Sequence, residues 1–193
     1  MSEILTIDTD AGLTKDAPKI IEPLPLYDEN YPMLKMKIPE FTGSLPDAEM
    51  TELAARLKMT MKLYGGVGLS ANQCGMYERM FVLGTDQFQM VCINPKIIET
   101  EGEIDKGNEG CLSFPGLFVK VERPSIIVAE WSTEQGEVKR ARLSGITARC
   151  FQHELDHLNG IKFTEHVKPV ALQLARQKQQ KVIKKFTRNN KKK

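Results

Sequence analysis

The hydrophobic positions of residues 44–66 recur with the period of an α-helix. Ser44-Leu45-Pro46-Asp47 supplies a capping residue and an early proline, which are typical of a helix start. The apolar positions that follow are Leu53, Ala54, Leu57, Met61 and Tyr64. Their spacing places them on one helix face, and Gly65-Gly66 ends the pattern. The sequence therefore predicts an amphipathic helix in the first third of the chain.

Five short segments in the middle of the chain have the composition of β-strands. They are Met80–Leu83, Met90–Ile98, Leu117–Val121, Ile126–Trp131 and Val138–Leu143. Loops that contain Gly, Asp or Pro join them, so antiparallel pairing is favoured over βαβ units. Residues 1–43 are rich in Pro, Asp and short apolar pairs, and we expect extended arms and loops there.

Two further helices are predicted after the strands. Ser144 can cap the first of them, and Asn159-Gly160 can close it. Pro169 fits the start of the second, whose apolar face would consist of Leu172, Ala175, Val182, Ile183 and Phe186. The predicted fold class is α+β, with antiparallel β-sheets packed around a central helix, an N-terminal helix and a basic C-terminal helix. We expect one domain over residues 1–167 and a basic helix or tail over residues 168–193.

The composition fits one domain with a full core, since the chain has 193 residues and 41% hydrophobic content. No apolar run approaches the roughly 18 residues of a membrane span. The opening Met1-Ser2-Glu3-Ile4 lacks the features of a secretory signal. Four unevenly spaced cysteines argue against a disulfide framework. We therefore expect a soluble, cytoplasmic protein with no membrane partner.

Charge is distributed unevenly along the chain. Residues 168–193 hold ten Lys or Arg and no acid, and subtracting ten from the net charge of +2 leaves −8 on residues 1–167. Such a basic segment can attract polyphosphate surfaces, including RNA. A solvated helix with a frayed Lys191-Lys192-Lys193 end explains the same charge equally well.

The most informative polar segment is Gln152-His153-Glu154-Leu155-Asp156-His157. Residues i and i+4 of a helix share one face, so His153 and His157 can bind one metal ion together. Glu154 follows the first ligand directly, close enough to handle the protons of a metal-activated water. This is the pattern of a metal hydrolase, and the third ligand decides which kind.

The downstream sequence does not supply the third ligand of the common zinc proteases. The long metzincin pattern needs a His six residues after the second His, but Phe163 occupies that position. Other zinc proteases use a downstream Glu, and beyond the motif only Glu165 is acidic. A metallopeptidase is therefore the weaker alternative.

The upstream segment Glu109-Gly110-Cys111-Leu112-Ser113 offers a thiolate in a glycine-flanked turn. One Cys and two His leave an open coordination position for water, as a catalytic site requires. A structural site would usually be closed by a fourth protein ligand. Cys111 is therefore a candidate third ligand beside His153 and His157.

A third segment, Gly66-Val67-Gly68-Leu69-Ser70-Ala71-Asn72-Gln73, ends in an amide side chain. The three segments, in this order, resemble the signature motifs of peptide deformylase. The resemblance extends over residues 66–160, about half of the chain. It implies a metal-dependent hydrolase that removes the N-formyl group from the formyl-methionine of newly synthesised proteins and releases formate.

The resemblance also implies roles for single residues. The three predicted ligands match the family's metal ligands, and Glu154 matches its general acid/base. Gln73 matches the glutamine whose amide stabilises the oxyanion together with the backbone N–H of Leu112. Glu109 matches a buried structural carboxylate, with Arg123 as its partner. The implied native metal is Fe(II), and Zn(II) or Ni(II) can occupy such a site in isolated protein.

A deformylase needs an apolar slot for the methionine side chain. The residues that we expect to line this slot are Val67, Leu69, Cys150 and Phe151. The peptide would lie extended and add as a strand through backbone bonds near Gly68.

Two positions depart from the family. Ser70 replaces a more usual alanine and adds a hydroxyl that can bond a nearby carbonyl. Phe118 stands where many bacterial members carry an arginine near the substrate, which affects peptide selectivity.

The basic C-terminal segment also has a counterpart, since bacterial deformylases use a C-terminal helix to dock on the ribosome. A ribosome- or RNA-associated protein with a non-catalytic metal site is a further alternative. Such a protein would need neither Glu154 nor Gln73. The two histidines of the motif could also be ordinary helix-face residues, but Cys111 and Gln73 argue against that interpretation.

Overall fold

The computed structural model describes residues 21–85 and 88–190, and for residues 185–190 it describes the helical backbone alone. The helices in this part of the chain are α1 (Ala48–Leu63), α2 (Gly145–Leu158) and α3 (Pro169–Asn190). The strands are β1 (Gly68–Ser70), β2 (Met80–Gly84), β3 (Gln89–Gly110), β4 (Phe118–Ser132) and β5 (Val138–Ser144). Short 3-10 turns cover Pro32–Lys35, Ala71–Cys74 and Phe163–His166. The α+β class predicted from the sequence is confirmed.

Helix α1 begins directly after the predicted start segment, residues 44–47. Asp47 is the N-cap, because its side chain accepts the backbone N–H of Met50 at 2.9 Å. The cap is therefore the last residue of that segment. The buried face includes four of the five predicted positions, namely Leu53, Ala54, Leu57 and Met61. The fifth, Tyr64, follows the last helical residue and is half exposed.

The strands form a single sheet in the order β1-β2-β3-β4-β5, and each pairs antiparallel with its neighbours. The predicted antiparallel pairing is confirmed, and the strands are joined in one five-stranded sheet. Strand β3 continues well past Ile98, because its polar second half pairs with β4 as far as Gly110. The predicted strands Leu117–Val121 and Ile126–Trp131 fall, except for Leu117, within the single strand β4.

Strand β2 is buried on both faces, which places helices on both sides of the sheet. Met80 and Val82 belong to the apolar cluster around α1, and Phe81 and Leu83 belong to the cluster around α2. Successive side chains of a strand point to opposite faces, so α1 and α2 cover opposite faces. Ten of the fourteen residues of α2 are buried, which makes it the central helix. Ser144 precedes α2, but its side chain makes no capping hydrogen bond.

Helix α3 covers a third apolar cluster. Leu172 and Ala175 of its predicted apolar face pack against this cluster, which consists of Phe114, Leu117, Val119, Val121 and Phe163. The side chain of Phe186 and residues 191–193 lie outside the described residues. So do residues 1–20 of the predicted N-terminal arm, whereas residues 21–47 follow an extended path with one 3-10 turn.

Two polar contacts attach α3 to the rest of the protein. Arg176 pairs with Glu29 of the N-terminal arm. Gln179, which is buried, donates a 2.8 Å hydrogen bond from Nε2 to the backbone oxygen of Pro115. Among the described residues, no helix combines the length and apolar character needed to span a membrane.

Candidate metal centre and active-site cleft

Helix α2 presents His153 and His157 on one face. They lie four residues apart, their ring centroids are 5.0 Å apart, and both side chains are buried. The helix runs through the core and contacts β1, β2, β4 and β5, so its backbone is well fixed. The structure therefore places the two imidazoles as the i, i+4 spacing predicts.

Cys111 reaches the same point from the end of β3. Its Sγ lies 3.2 Å from Nε2 of His157, and the ligand atoms of Cys111, His153 and His157 all lie within 4.8 Å of one another. Within the described part of the chain, no other group of His, Cys, Asp or Glu side chains has this geometry. The structure thus brings together the three residues that the sequence suggested as metal ligands.

The carboxylate of Glu109 orients His153. Its Oε2 lies 3.0 Å from Nδ1 of His153, so Nδ1 donates the hydrogen bond and Nε2 remains for a metal. Burial by itself would raise the pKa of Glu109, but hydrogen bonds from His153 and Arg123 lower it to about 2. The acceptor is therefore ionised near neutral pH, which fixes the tautomer of the metal-facing imidazole.

The pKa values of the two histidines are shifted in opposite directions. Burial would lower the pKa of His153, but hydrogen bonds with Cys111 and Glu109 raise it to about 10. Burial and the charge of His153 lower the pKa of His157 well below its ordinary value. In metal-free protein, His153 is therefore the histidine that favours the protonated form. Metal binding to His and Cys generally releases protons, so a divalent cation would compete with that proton.

Two arginines satisfy Glu109 on its remaining sides. Arg123 binds both carboxylate oxygens at 2.9 Å, and Arg149 donates from Nη1 to Oε1 at 2.8 Å. Together with His153, four hydrogen bonds fill the acceptor sites of this buried group. The Glu109–Arg123 pair was predicted, whereas Arg149 was missed. A usable signal existed, because Arg149 lies four residues before His153 and therefore on the same helix face.

The guanidinium of Arg149 passes closely over the backbone of β3. It also donates to the backbone oxygens of Val121 and Asp105 and to the Asp105 carboxylate. A Cβ on Gly107 would lie 2.6 Å from its Cζ atom. The glycine is therefore required for this approach.

Asp156 extends the charged network to the surface. Arg123 donates from Nη1 to Asp156 at 2.6 Å, and His166 lies 2.8 Å from the same carboxylate oxygen. The side chain of His166 is about one-third exposed. Asp156 thus supports the partner of Glu109 and is not part of the ligand cluster.

Glu154 lies in the same cleft, with a buried carboxyl group. Burial raises its pKa to about 7, against the opposing effects of the charge on His153 and hydrogen bonds from Ser70. Its Oε2 atom is buried and has no hydrogen-bond partner among the described residues. A carboxyl group with this pKa can both accept and release a proton near neutral pH.

The amide of Gln73 faces the cluster from the opposite side. Nε2 lies 3.3 Å from Sγ of Cys111 and donates to the hydroxyl of Ser113 at 3.1 Å. Its carbonyl end accepts from Ser70. The resemblance suggested that the Ser70 hydroxyl would bond a nearby carbonyl, and this acceptor is the amide oxygen of Gln73.

A cleft of about 520 Å³ opens beside these residues. Val67, Gly68 and Cys150 line it as expected, and Leu112 does so too. Leu69 and Phe151 do not: both side chains are fully buried in the apolar clusters of α1 and α2, respectively. The lining residues with exposed apolar side chains are Tyr64, Val67, Phe118 and Ile146. They form a rim that sequence reasoning identified only in part.

Gly68 allows the backbone of β1 to approach the centre. A Cβ at this position would lie 2.5 Å from Oε1 of Glu154 and 2.6 Å from Sγ of Cys150. The strand could therefore not carry a side chain here without displacing the carboxyl group.

The donor set fits a divalent transition metal. One thiolate and two imidazoles leave a coordination position open, and Glu154 offers a buried oxygen without a partner beside it. Thiolate and imidazole ligands suit iron and zinc better than magnesium or calcium.

A family model described as polypeptide deformylase matches residues 23–173 of the chain. Peptide deformylase of Thermotoga maritima is 39% identical over 132 residues, which cover 68% of this chain and 80% of that protein. The Agrobacterium fabrum peptide deformylase is 37% identical over 147 residues, which cover 74% and 82%.

Solved structures show the same similarity. A Synechococcus elongatus peptide deformylase in complex with actinonin has a TM-score of 0.77 and 32% identity, with coverage of 90% of this chain and 94% of that one. An Acinetobacter baumannii class I type b peptide deformylase with bound Met-Ala-Ser has a TM-score of 0.72 and 31% identity, with coverage of 77% and 100%.

Proposed function

Because this chain belongs to the peptide deformylase family, it is a hydrolase that removes the N-formyl group from nascent peptides, and we propose that Cys111, His153 and His157 hold its metal ion. The observation that carries the assignment of the site is the convergence of these ligand atoms with Glu154 and Gln73 at one cleft. When bound there, a divalent metal supplies Lewis-acid chemistry that makes water nucleophilic near neutral pH.

Glu154 is the proton-transfer group of this proposal. It accepts a proton from the attacking water and delivers it to the departing amine. Its buried position at the cleft supports both steps, and in metal-free protein burial raises its pKa to about 7. A structural metal site would not need such a group, which argues against the non-catalytic alternative.

Gln73 and Leu112 are the proposed donors to the formyl oxygen as it gains negative charge. Gln73 Nε2 lies beside Cys111, and Leu112 follows Cys111 in the chain, so both donors border the metal position. Loss of one oxyanion donor typically lowers kcat by about 10²- to 10³-fold.

The substrate is proposed to bind along β1. This strand pairs with β2 alone in the described sheet, so its second edge can accept an extended peptide. Val67 and Cys150 would contact the methionine side chain, and the backbone of Gly68 would bond the peptide. Leu69 would act indirectly, because it anchors β1 in the core.

The native metal is proposed to be Fe(II), with Zn(II) or Ni(II) as substitutes in isolated protein. The thiolate ligand supports a soft or borderline cation. A cytoplasmic location is proposed with it, since Cys74, Cys92, Cys111 and Cys150 are all free thiols. Metal analysis of protein that is kept anaerobic from cell lysis onward would test the iron assignment: we expect about one iron per chain, and a site filled by another metal under these conditions would reject it.

The activity is tested by formate release from formyl-Met-Ala-Ser with metal-loaded protein. We expect rapid release that a chelator abolishes. Glu154→Ala should abolish turnover and keep the metal content nearly unchanged, whereas Thr60→Val, a buried control in α1, should keep turnover. Loss of metal together with activity in the Glu154 variant would assign it a structural role instead.

We propose that residues 1–167 form the catalytic unit and that the basic segment 168–193 binds the ribosome. Lys178, Lys181 and Lys184 support this role, since they are exposed and follow one another at three-residue spacing along α3. Deleting α3 would also remove the contact of Gln179 with Pro115, so the charges should be neutralised instead. The triple Lys→Gln variant should lose ribosome affinity, and the triple Lys→Arg variant should keep it. Equal affinity of both variants would contradict the proposal.

A further inference from the structure

Ser70 is a fully buried polar residue at the end of β1. It pairs with Phe81 of β2, and the 3-10 turn that carries Gln73 begins directly after it. Both its backbone and its hydroxyl face the interior next to the active-site cleft. The family's more usual alanine would supply the backbone group alone.

Two donors of Ser70 converge on one atom of Gln73. The backbone N–H of Ser70 lies 3.0 Å from Oε1, and the Ser70 hydroxyl lies 2.9 Å from the same oxygen. A backbone N–H can only donate, so the atom that it meets is the carbonyl oxygen of the amide. This contact determines which end of the carboxamide is Oε1 and therefore where Nε2 points.

The opposite end of the carboxamide is held as well. Nε2 donates to the hydroxyl of Ser113 at 3.1 Å and lies 3.3 Å from Sγ of Cys111. Gln73 and Ser113 are both about 1% exposed. Ser70 and Ser113 thus hold the amide plane from its two ends, with the nitrogen directed at the metal ligand.

We propose that the hydroxyl of Ser70 is a positioning group for the oxyanion donor Gln73. Two hydrogen bonds to Oε1 restrict rotation of the amide and, through hydrogen-bond polarisation, strengthen the N–H donors at its other end. A donor fixed before the reaction needs no reorganisation as charge develops on the substrate. This inference rests on the proposed role of Gln73 in the deformylase reaction.

Glu154 provides an alternative target for the same hydroxyl. The neighbouring donors of Ser70 lower the pKa of Glu154 against the raising effect of burial. The hydroxyl has a single proton, and the 2.9 Å contact assigns it to Gln73. If Ser70 acted through Glu154, its removal would lower the rate whether or not Gln73 is present. The test therefore has to separate these two routes.

A double-mutant cycle with Ser70→Ala and Gln73→Ala makes this separation. We expect Ser70→Ala to lower kcat on formyl-Met-Ala-Ser by about tenfold, the effect of one hydrogen bond, with KM and metal content unchanged. In the Gln73→Ala background, the same change should alter kcat less than twofold. An unchanged kcat in the single variant, or a tenfold fall in both backgrounds, would overturn the proposal.

Side-chain amide NMR provides a readout that does not depend on turnover. The Gln73 amide protons, assigned by their absence in Gln73→Ala, should be protected from solvent exchange, and Ser70→Ala should reduce that protection about tenfold. Thr60→Val removes an equally buried hydroxyl of α1 and should leave the signals unchanged. If wild-type protein is inactive but its Gln73 protons are protected, the proposed function is contradicted and the positioning role of Ser70 still holds. If wild-type protein is active and Ser70→Ala leaves the exchange of these protons unchanged, the positioning role is contradicted.

Discussion

Replacing Arg149 by leucine tests whether the charged network behind the metal ligands stabilises the fold. The change keeps most of the apolar stem and removes the guanidinium from Glu109. The Arg149 and Glu109 side chains are 10% and 4% exposed, so the variant leaves part of a buried carboxylate without its donor. The backbone oxygen of Val121 loses its donor too.

The expected loss follows from the burial of these groups. Removing one partner of a buried ion pair typically costs about 3–5 kcal/mol. Glu109 keeps Arg123 and His153, so we expect the lower limit, about 3 kcal/mol. The contact of Arg149 with Asp105 adds little, because that carboxylate is 63% exposed. For a domain of this size, the melting temperature should fall by about 6–12 °C.

Arg142→Leu is the matched control. Arg142 pairs with Glu101 at 2.8 Å, but the two side chains are 58% and 32% exposed. An exposed pair of this kind contributes about 0–1 kcal/mol. Urea unfolding of both variants, with and without metal, gives the free energies of unfolding. A loss below about 1 kcal/mol for Arg149→Leu, equal to that of Arg142→Leu, would refute the reasoning.

Three further predictions concern the centre itself. Glu109→Gln should lower the free energy of unfolding by about 3 kcal/mol above pH 4.5. The difference from wild type should shrink as the pH falls toward 2, because the pKa of Glu109 in the folded state is depressed to about 2. A pH-independent difference in urea unfolding would contradict this. In metal-free protein, infrared titration should show Glu154 ionising near pH 7. Zn(II) should lower that pKa, because a nearby cation favours the carboxylate. A pKa that stays near 7 with zinc bound would exclude Glu154 from the centre. Gly68→Ala should lower kcat at least tenfold, because its Cβ would displace Glu154, and unchanged formate release would show that the carboxyl group can move freely.

The metal centre was largely predictable because its signals are local. His153 and His157 are related by one helical turn, and the glycine-flanked Cys111 is a short motif. Their convergence in space needed the family resemblance, since no spacing rule brings the end of β3 to α2. The fold class was predictable from local signals as well, because the composition of the loops indicates antiparallel pairing.

The misassigned residues depend on tertiary contacts. The polar half of β3, from Glu99 to Gly110, has no strand signal of its own, and pairing with β4 makes it a strand. Leu69 was expected at the substrate from the family resemblance, and its side chain lies in the apolar cluster of α1, a contact that the motif alone does not reveal. Arg149 was missed although its spacing from His153 places it on the ligand-bearing helix face, because that spacing does not reveal its partner Glu109, which lies 40 residues away in the sequence.

The close passage of Arg149 over Gly107 restricts how this sequence can change during evolution. A side chain at position 107 would collide with the guanidinium, and loss of the guanidinium would leave Glu109 short of a donor. Each single step is therefore unfavourable, although a paired replacement by a small side chain at 149 and a larger one at 107 would relieve the collision. Among relatives, the two positions should vary together, with glycine retained wherever arginine is present. The network thus makes positions 107 and 149, which are far apart in the sequence, a coevolving pair.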